Sequence, residues 1–385
     1  MTNREILFDY CRLHTKTCHG QRLDLQKQRT PPGCTNMAIR MDDAPVGLLF
    51  GKGIYMKLWI NVVFFAVLSA ATQFAPAYAG NIAGNGVSFA FASASQGREI
   101  LTARDDYVRS LSRFDRAARM KTGKEITEKV YLRFVGDNVR DWSSDEKALI
   151  ESALSFVQPR INQLSLPWPA TVYLIKTTGK EEGNAAYTRG NAIVLPAVML
   201  VPERKELIKK ILAHELFHIL SRNNPDLKER LYAAIGFHRC GEIAFPSSLR
   251  QVKITNPDAP INDYCIRLRV AGMPTWAIPV LYSVTQEYDE HRGGEFFDYL
   301  QFEFLLLETG NFSVPSTATY DDRHIRLVGP DDVSGFYEQV GRNTDYIIHP
   351  EEILADNFSL LVLGVEKIPS PEIIRDIREI LERSQ

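Results

Sequence analysis

Apolar and polar positions alternate along this chain with two periods, and the changes between them outline its elements. From Gly97 to Met120, Leu101, Val108, Leu111, Phe114 and Ala118 recur at steps of three, four or seven. That spacing places them on one helical face, with charged residues on the other. Ser143-Ser144-Asp145-Glu146 opens a second helix, because Ser143 and Glu146 have capping-box spacing. It should run to about Leu164, before Pro167 and Pro169. Ala170 to Ile175, rich in β-branched and aromatic residues, predicts a strand. Thr177 to Gly183 predicts a turn, and Asn191 to Leu195 a second strand ended by Pro196. Pro202 suits a helix's first turn. The helix predicted from Glu203 to about Ser221 carries Leu207, Ile208, Ile211 and Leu212, so it should be largely buried, and Asn223-Asn224-Pro225 ends it.

Residues 225–345 carry a weaker pattern. Pro246, Pro257, Pro260, Pro274 and Pro279 punctuate irregular stretches, and Thr255 to Pro260 reads as an ordered turn system that could line the cleft, without assigned chemistry. Phe296 to Leu307 is strongly apolar, either a helix or a buried segment. Pro350 begins a helix expected to reach about Leu363. Ser370-Pro371 begins a last amphipathic one, with Ile373, Ile374, Ile377 and Leu381 inward.

The start of the chain differs from the rest. After Met56 come Lys57, an apolar run from Leu58 to Ala71, and the small-x-small site Ala77-Tyr78-Ala79. That order describes a secretory signal peptide over residues 56–79. The rival reading is a membrane anchor, for which the apolar run falls short of the ~20 residues a span needs. Residues 1–55 then read as an over-extended, disordered start upstream of the true Met56. The alternative there is a small metal module, since Cys11, His14, Cys18, His19 and Cys34 cluster in it. A mature chain would begin at Gly80, with a flexible stretch to Gln96. An N-terminal helical extension would occupy residues 80–140, and a catalytic domain 141–385 with a long insertion at about 225–345. It would have no stable membrane anchor and work in the periplasm or outside the cell. There Cys240 and Cys265 would pair as a disulfide, the alternative being two buried free thiols.

Composition narrows the partners. The 385 residues carry a formal charge of −2 and 45% apolar residues, so no basic surface points to nucleic acid.

The chemistry concentrates in His214-Glu215-Leu216-Phe217-His218, an H-E-x-x-H pattern inside the predicted buried helix. Residues four apart lie on one helical face, so the two imidazoles can share one zinc ion. Glu215, rotated about a quarter turn away, is placed to accept a proton from water. The bland reading, two surface histidines flanking a glutamate, fits poorly with Ile211, Leu212, Leu216, Phe217, Ile219 and Leu220 around them. Buried ionisable groups need partners.

A third ligand should lie downstream, where Glu352-Ile353-Leu354-Ala355-Asp356 follows His349-Pro350-Glu351. With H-E-x-x-H and E-x-x-A-D in this order, the sequence resembles the gluzincin metallopeptidases. The resemblance implies Glu352 as third ligand and Asp356, one turn on, as hydrogen-bond partner of a ligand histidine. Glu351 is the competing ligand, but the residue four beyond it, Ala355, cannot orient a histidine. The family implies a zincin-like α+β fold, with a small sheet and the motif helix in an upper lobe and a helical lower lobe carrying Glu352. The strand at 191–195 would be the edge strand along which substrate lies. Tyr346 and His349 are candidates to stabilise an oxyanion; Tyr232, His238, Tyr264 and His291 are weaker ones. The 133 residues between the motifs (219 to 351) are more than thermolysin-like enzymes have. The implied activity is zinc-dependent hydrolysis of a peptide bond, with one Zn2+ and a peptide or protein substrate. A non-protein amide or ester, or an inactive zincin fold kept for binding, are the alternatives.

Overall fold

The first strand arises where the sequence pattern suggested flexible chain. β1 (Ser88–Phe91) forms one edge of a mixed sheet, with Phe89 buried. The computed structural model describes residues 86–307 and 325–383. The expected signal peptide, the segment before it and the Cys11 group lie outside the described residues.

After β1, the single helix predicted from 97 to 120 is three short ones: Ala94–Leu101, Asp106–Ser110 and Arg113–Arg119. Asp105 and Ser112 cause the breaks. Each takes an extended conformation, and its side chain caps the backbone N–H of the residue three positions on. A further helix, Glu128–Asn138, leads into the two-residue β2 (Val139–Arg140). The helix Ser144–Asn162 begins with the predicted capping box of Ser143 and Glu146.

β3 (Thr171–Thr177), β4 (Tyr187–Arg189) and β5 (Ala192–Pro196) complete the sheet in the order β1-β3-β5-β4. β1, β3 and β5 are parallel, and β4 is antiparallel to β5. The strand at 191–195 is therefore internal, and the open edge beside it is β4. This corrects the expectation that it is the edge strand; β5 is buried along its whole length, as parallel strands covered on both faces are. Side chains alternate across the sheet. Val172, Leu174, Ile193 and Leu195 face Ser144–Asn162 and the motif helix, Lys205–Asn223. Ile175, Ala192 and Val194 face the short N-terminal helices in a second core. Those helices, expected as an appendage, are the third layer of an α/β/α arrangement.

Residues 225–345, expected as a long insertion of irregular pattern, form a second sheet. Beyond the helix Pro225–Ala234 lie β6 (Phe237–Arg239), β7 (Tyr264–Val270), β8 (Met273–Ser283), β9 (Leu300–Leu306), β10 (Leu327–Val328) and β11 (Val333–Ser334). Their order is β10-β9-β8-β7-β11, with β6 also on β7, and every pairing is antiparallel. Ala271 and Gly272 close the β7–β8 hairpin with φ of 50° and 81°. Positive φ at both positions of a two-residue loop matches strand twist, and glycine adopts it without steric cost. The apolar segment 296–307 resolves into a short 3-10 turn and β9.

The helix Pro350–Leu363 lies against the motif helix, and Pro371–Glu382 packs with Ile373, Ile377 and Leu381 inward. Every residue from Lys210 to Ser221 and from Pro350 to Val362 is buried. Helices buried all round must pair their ionisable side chains with one another. The fold class is α+β. Among the described residues no helix is long and apolar enough to cross a membrane.

Candidate metal centre

His214 and His218 stand one turn apart, their rings edge to face with centroids 4.8 Å apart. A carboxylate from the facing helix engages the Nδ1 of each. His214 Nδ1 lies 3.1 Å from Asp356 Oδ1, and His218 Nδ1 lies 3.1 Å from Glu351 Oε1. With Nδ1–H donated to a carboxylate, each ring presents Nε2 as a lone pair. Both Nε2 atoms face Glu352: Oε2 is 3.1 Å from His214 Nε2 and 3.6 Å from His218 Nε2. Donors sharing one tetrahedral ion at ~2.0–2.1 Å stand about 3.3 Å apart, so these three atoms match a zinc site in type and spacing. His218 Nε2 and Glu215 Oε2 are buried without a hydrogen-bond partner. Orphaned polar atoms at this depth are costly unless something else engages them, and a zinc ion fits the donor set.

The two carboxylates behind the rings are themselves held. Thr344 Oγ1 donates to Asp356 Oδ2 at 2.5 Å, and Lys210 Nζ lies 3.4 Å from Oδ1. Glu351 accepts from Ser221 Oγ at 2.9 Å and from the Tyr232 hydroxyl, with Lys228 Nζ at 3.8 Å. Burial alone would raise the pKa of Glu351; Lys228 and His218 outweigh it and hold it at about 2. Burial likewise opposes ionisation of Asp356, but Lys210 and His214 keep it well below the usual carboxylate range. Burial would also raise Glu352, yet His218, His214 and the Asn256 amide hold it below its ordinary value. Burial lowers the histidines, and their carboxylate partners reverse that. His214 rises well above its ordinary value and His218 to about 9, with Asp258 the leading charge on His218.

Glu215 differs from its neighbours. Burial, then the charge of Asp258, pushes its pKa up to about 8, against the pull of the two imidazoles. Its carboxylate, His218 and Asp258 bring ligand-type atoms within 4.8 Å of one another, as do His214, His218 and Glu352. The arrangement can hold a divalent cation on three side chains, with a proton acceptor beside it.

The other expected residues are dispersed. Tyr346 is half-buried, its ring centroid 6.3 Å from that of His214, and its backbone N–H donates to Thr344 Oγ1. His349 is the N-cap of the helix carrying Glu352. Its Nδ1 accepts the Glu351 N–H at 3.1 Å, and burial, aided by Lys228, lowers its pKa to about 4. Tyr232 is engaged with Glu351, and Tyr264 stacks on it at 4.4 Å. His238 is exposed beside Trp276, and His291 is exposed. The expected disulfide is not formed in this structure. Cys240 and Cys265 are free, buried thiols that pack as small apolar groups among Ile243, Trp276 and Ile278, and Cys240 Sγ donates to the Asp263 carbonyl at 3.6 Å.

The sequence pattern assigned no role to Lys210 or Ser221, placed Asn256 and Asp258 only in a turn that could line the cleft, and considered Glu351 only as a ligand. Lys210 is four residues before His214 and Ser221 three after His218, so helical spacing put both on the motif's face. Asn256 and Asp258 carried no such signal. No known protein family, curated protein or solved structure matches the chain.

Proposed function

We propose that this chain is a zinc-dependent hydrolase of amide bonds, acting on a peptide or protein substrate. The observation that carries this reading is the convergence of His214 Nε2, His218 Nε2 and Glu352 Oε2, with the buried, unpartnered Oε2 of Glu215 beside them. The resemblance to gluzincins in the two motifs, and their meeting on facing buried helices, support a zincin-like reading.

A zinc ion held by His214, His218 and Glu352 would acidify water and polarise a substrate carbonyl. Asp356 and Glu351 keep Nδ1 of each ring protonated and Nε2 available. Glu215 would take a proton from the attacking water and return it to the leaving nitrogen, a role its buried carboxyl beside the two imidazoles can fill. Tyr346 is the side chain we assign to the developing oxyanion, from its position beside His214. The leader-like segment at 56–79 supports action outside the cytoplasm.

Glu215→Gln tests the reading. The variant should retain one zinc per chain, while hydrolysis of a quenched fluorescent peptide library falls by about 10²–10⁴-fold. Wild-type turnover in Glu215→Gln, or wild-type protein without zinc, would overturn the assignment.

A further inference from the structure

One segment near the centre has no part in the chemistry above. Thr255 to Pro260 runs past the candidate ligands and touches them from outside both motif helices. Asn256 Nδ2 donates to Glu352 Oε1 at 2.6 Å, occupying the second oxygen of the candidate ligand. Two residues on, the half-buried Asp258 carboxylate stands with Glu215 and His218, on the side where Glu215 would handle water.

Asp258 also occupies the sheet edge. Its Oδ1 accepts from both the backbone N–H (2.7 Å) and the hydroxyl (2.5 Å) of Thr188. Thr188 is the middle residue of β4, the open edge of the sheet. An outward N–H on an open edge is what an extended peptide pairs with when it adds to a sheet. One carboxylate therefore stands beside His218 and Glu215 and also occupies the edge a peptide would use.

The segment is anchored from behind. Thr255 donates its N–H and hydroxyl to Asp115, and its carbonyl accepts from Arg119 Nη2 at 3.0 Å. Arg119 is fully buried between Asp115 and Glu182, 2.6 Å from each. Asp258 N–H donates to Asn256 Oδ1, and Pro257 and Pro260 restrict the backbone. The cavity beside the segment, lined by Tyr187, Asn256, Asp258, Phe297 and Tyr346 among others, measures about 40 Å³. At ~10–15 Å³ per water it has room for about three waters.

We propose that Thr255–Pro260 is an internal stopper. In the resting chain Asp258 serves as a fourth ligand in the candidate centre, and a peptide substrate binds only when the Asp258 carboxylate gives up that place while its backbone stays pinned. The proposal rests on the zinc reading of the centre.

The test uses the full mature chain, with zinc or with cobalt(II) as a spectroscopic substitute. Asp258→Ala removes the ligand; Asp258→Asn keeps its size and its acceptor for Thr188 should the first variant fold poorly. Thermal melting reports folding of each. Both variants should still bind one metal ion and should shift the visible cobalt spectrum. They should lose metal to excess dipicolinate about tenfold faster or more, in keeping with the weight of a lost metal contact. They should also bind acetohydroxamate, a small metal-directed probe, more tightly than the wild type, because the position it takes is no longer held by Asp258. A metal-loaded wild type whose cobalt spectrum, chelator rate and hydroxamate affinity are all unchanged in both variants would overturn the stopper alone. A wild type that binds no metal would overturn the reading of the centre and the stopper with it.

Discussion

Glu351 and Glu352 are adjacent in sequence, ionised and buried, yet the geometry gives them different work. Exchanging each for glutamine separates the two. Glu352 Oε2 stands 3.1 and 3.6 Å from the two Nε2 atoms, so Glu352→Gln removes one of the converging trio His214, His218 and Glu352, and the only anion within that trio. Glu351 contacts His218 through Nδ1, on the far side of the ring, together with Ser221 and Tyr232. Glu351→Gln leaves all three donor atoms in place and weakens only the support of one ring. Losing such support costs ~10–100-fold in metal affinity. At about 1.4 kcal/mol per factor of ten, that is about 1.4–2.8 kcal/mol. Glu352→Gln should exceed the upper end of that range. Asp356→Ala should fall with Glu351→Gln, because Asp356 serves His214 as Glu351 serves His218. Zinc dissociation constants measured by competition with a chromogenic chelator provide the assay, with thermal melting of the metal-free proteins as a control for folding. Glu352→Gln with wild-type affinity, alongside a severe loss in Glu351→Gln, would refute the assignment and make Glu351 the ligand.

Two further predictions concern other parts of the chain. Glu181 is buried with Oε2 unpartnered, and burial pushes its pKa up to about 7 from 4.5. A raised carboxyl pKa stabilises the fold fully below the unfolded value and loses that contribution as pH rises through the folded one. At ~1.36 kcal/mol per pH unit, Glu181→Gln should gain about 3 kcal/mol on the wild type between pH 4.5 and 7 and hold that advantage above it. Urea unfolding at pH 4.5 and 8 checks this, and a constant difference would refute it. The second prediction follows from the leader-like segment at 56–79. Protein recovered from outside the cytoplasm should begin at Gly80. Intact mass and N-terminal peptide mapping read this, and peptides from residues 1–55 in that material would refute it.

Local regularity was legible in the sequence. Four-residue spacing placed His214 with His218 on one face, and Glu352 with Asp356 on another, because helix geometry depends on the adjacent backbone alone. The helix at 144–162, the strands at 171–177 and 192–196, and the amphipathic helix at 371–382 were legible for the same reason. The three N-terminal helices show where periodicity misleads: one apolar face ran through Asp105 and Ser112, whose capping bonds interrupt the backbone without changing the pattern.

The rest required contacts between distant segments. Whether residues 296–307 form helix or strand depended on β8 as partner, since an apolar run suits either. Which strand lies at the sheet edge depended on β4 folding back outside β5. Glu351 became the partner of His218 only because two buried helices pack with Ser221, Tyr232 and both histidines between them. Asn256 and Asp258 reach the centre through a loop pinned by Asp115 and Arg119, more than 130 residues earlier in the chain. Local sequence determines which donors share a helical turn; packing determines which donors from separate segments meet, because burial obliges each ionised group to find a counterpart wherever the fold brings one.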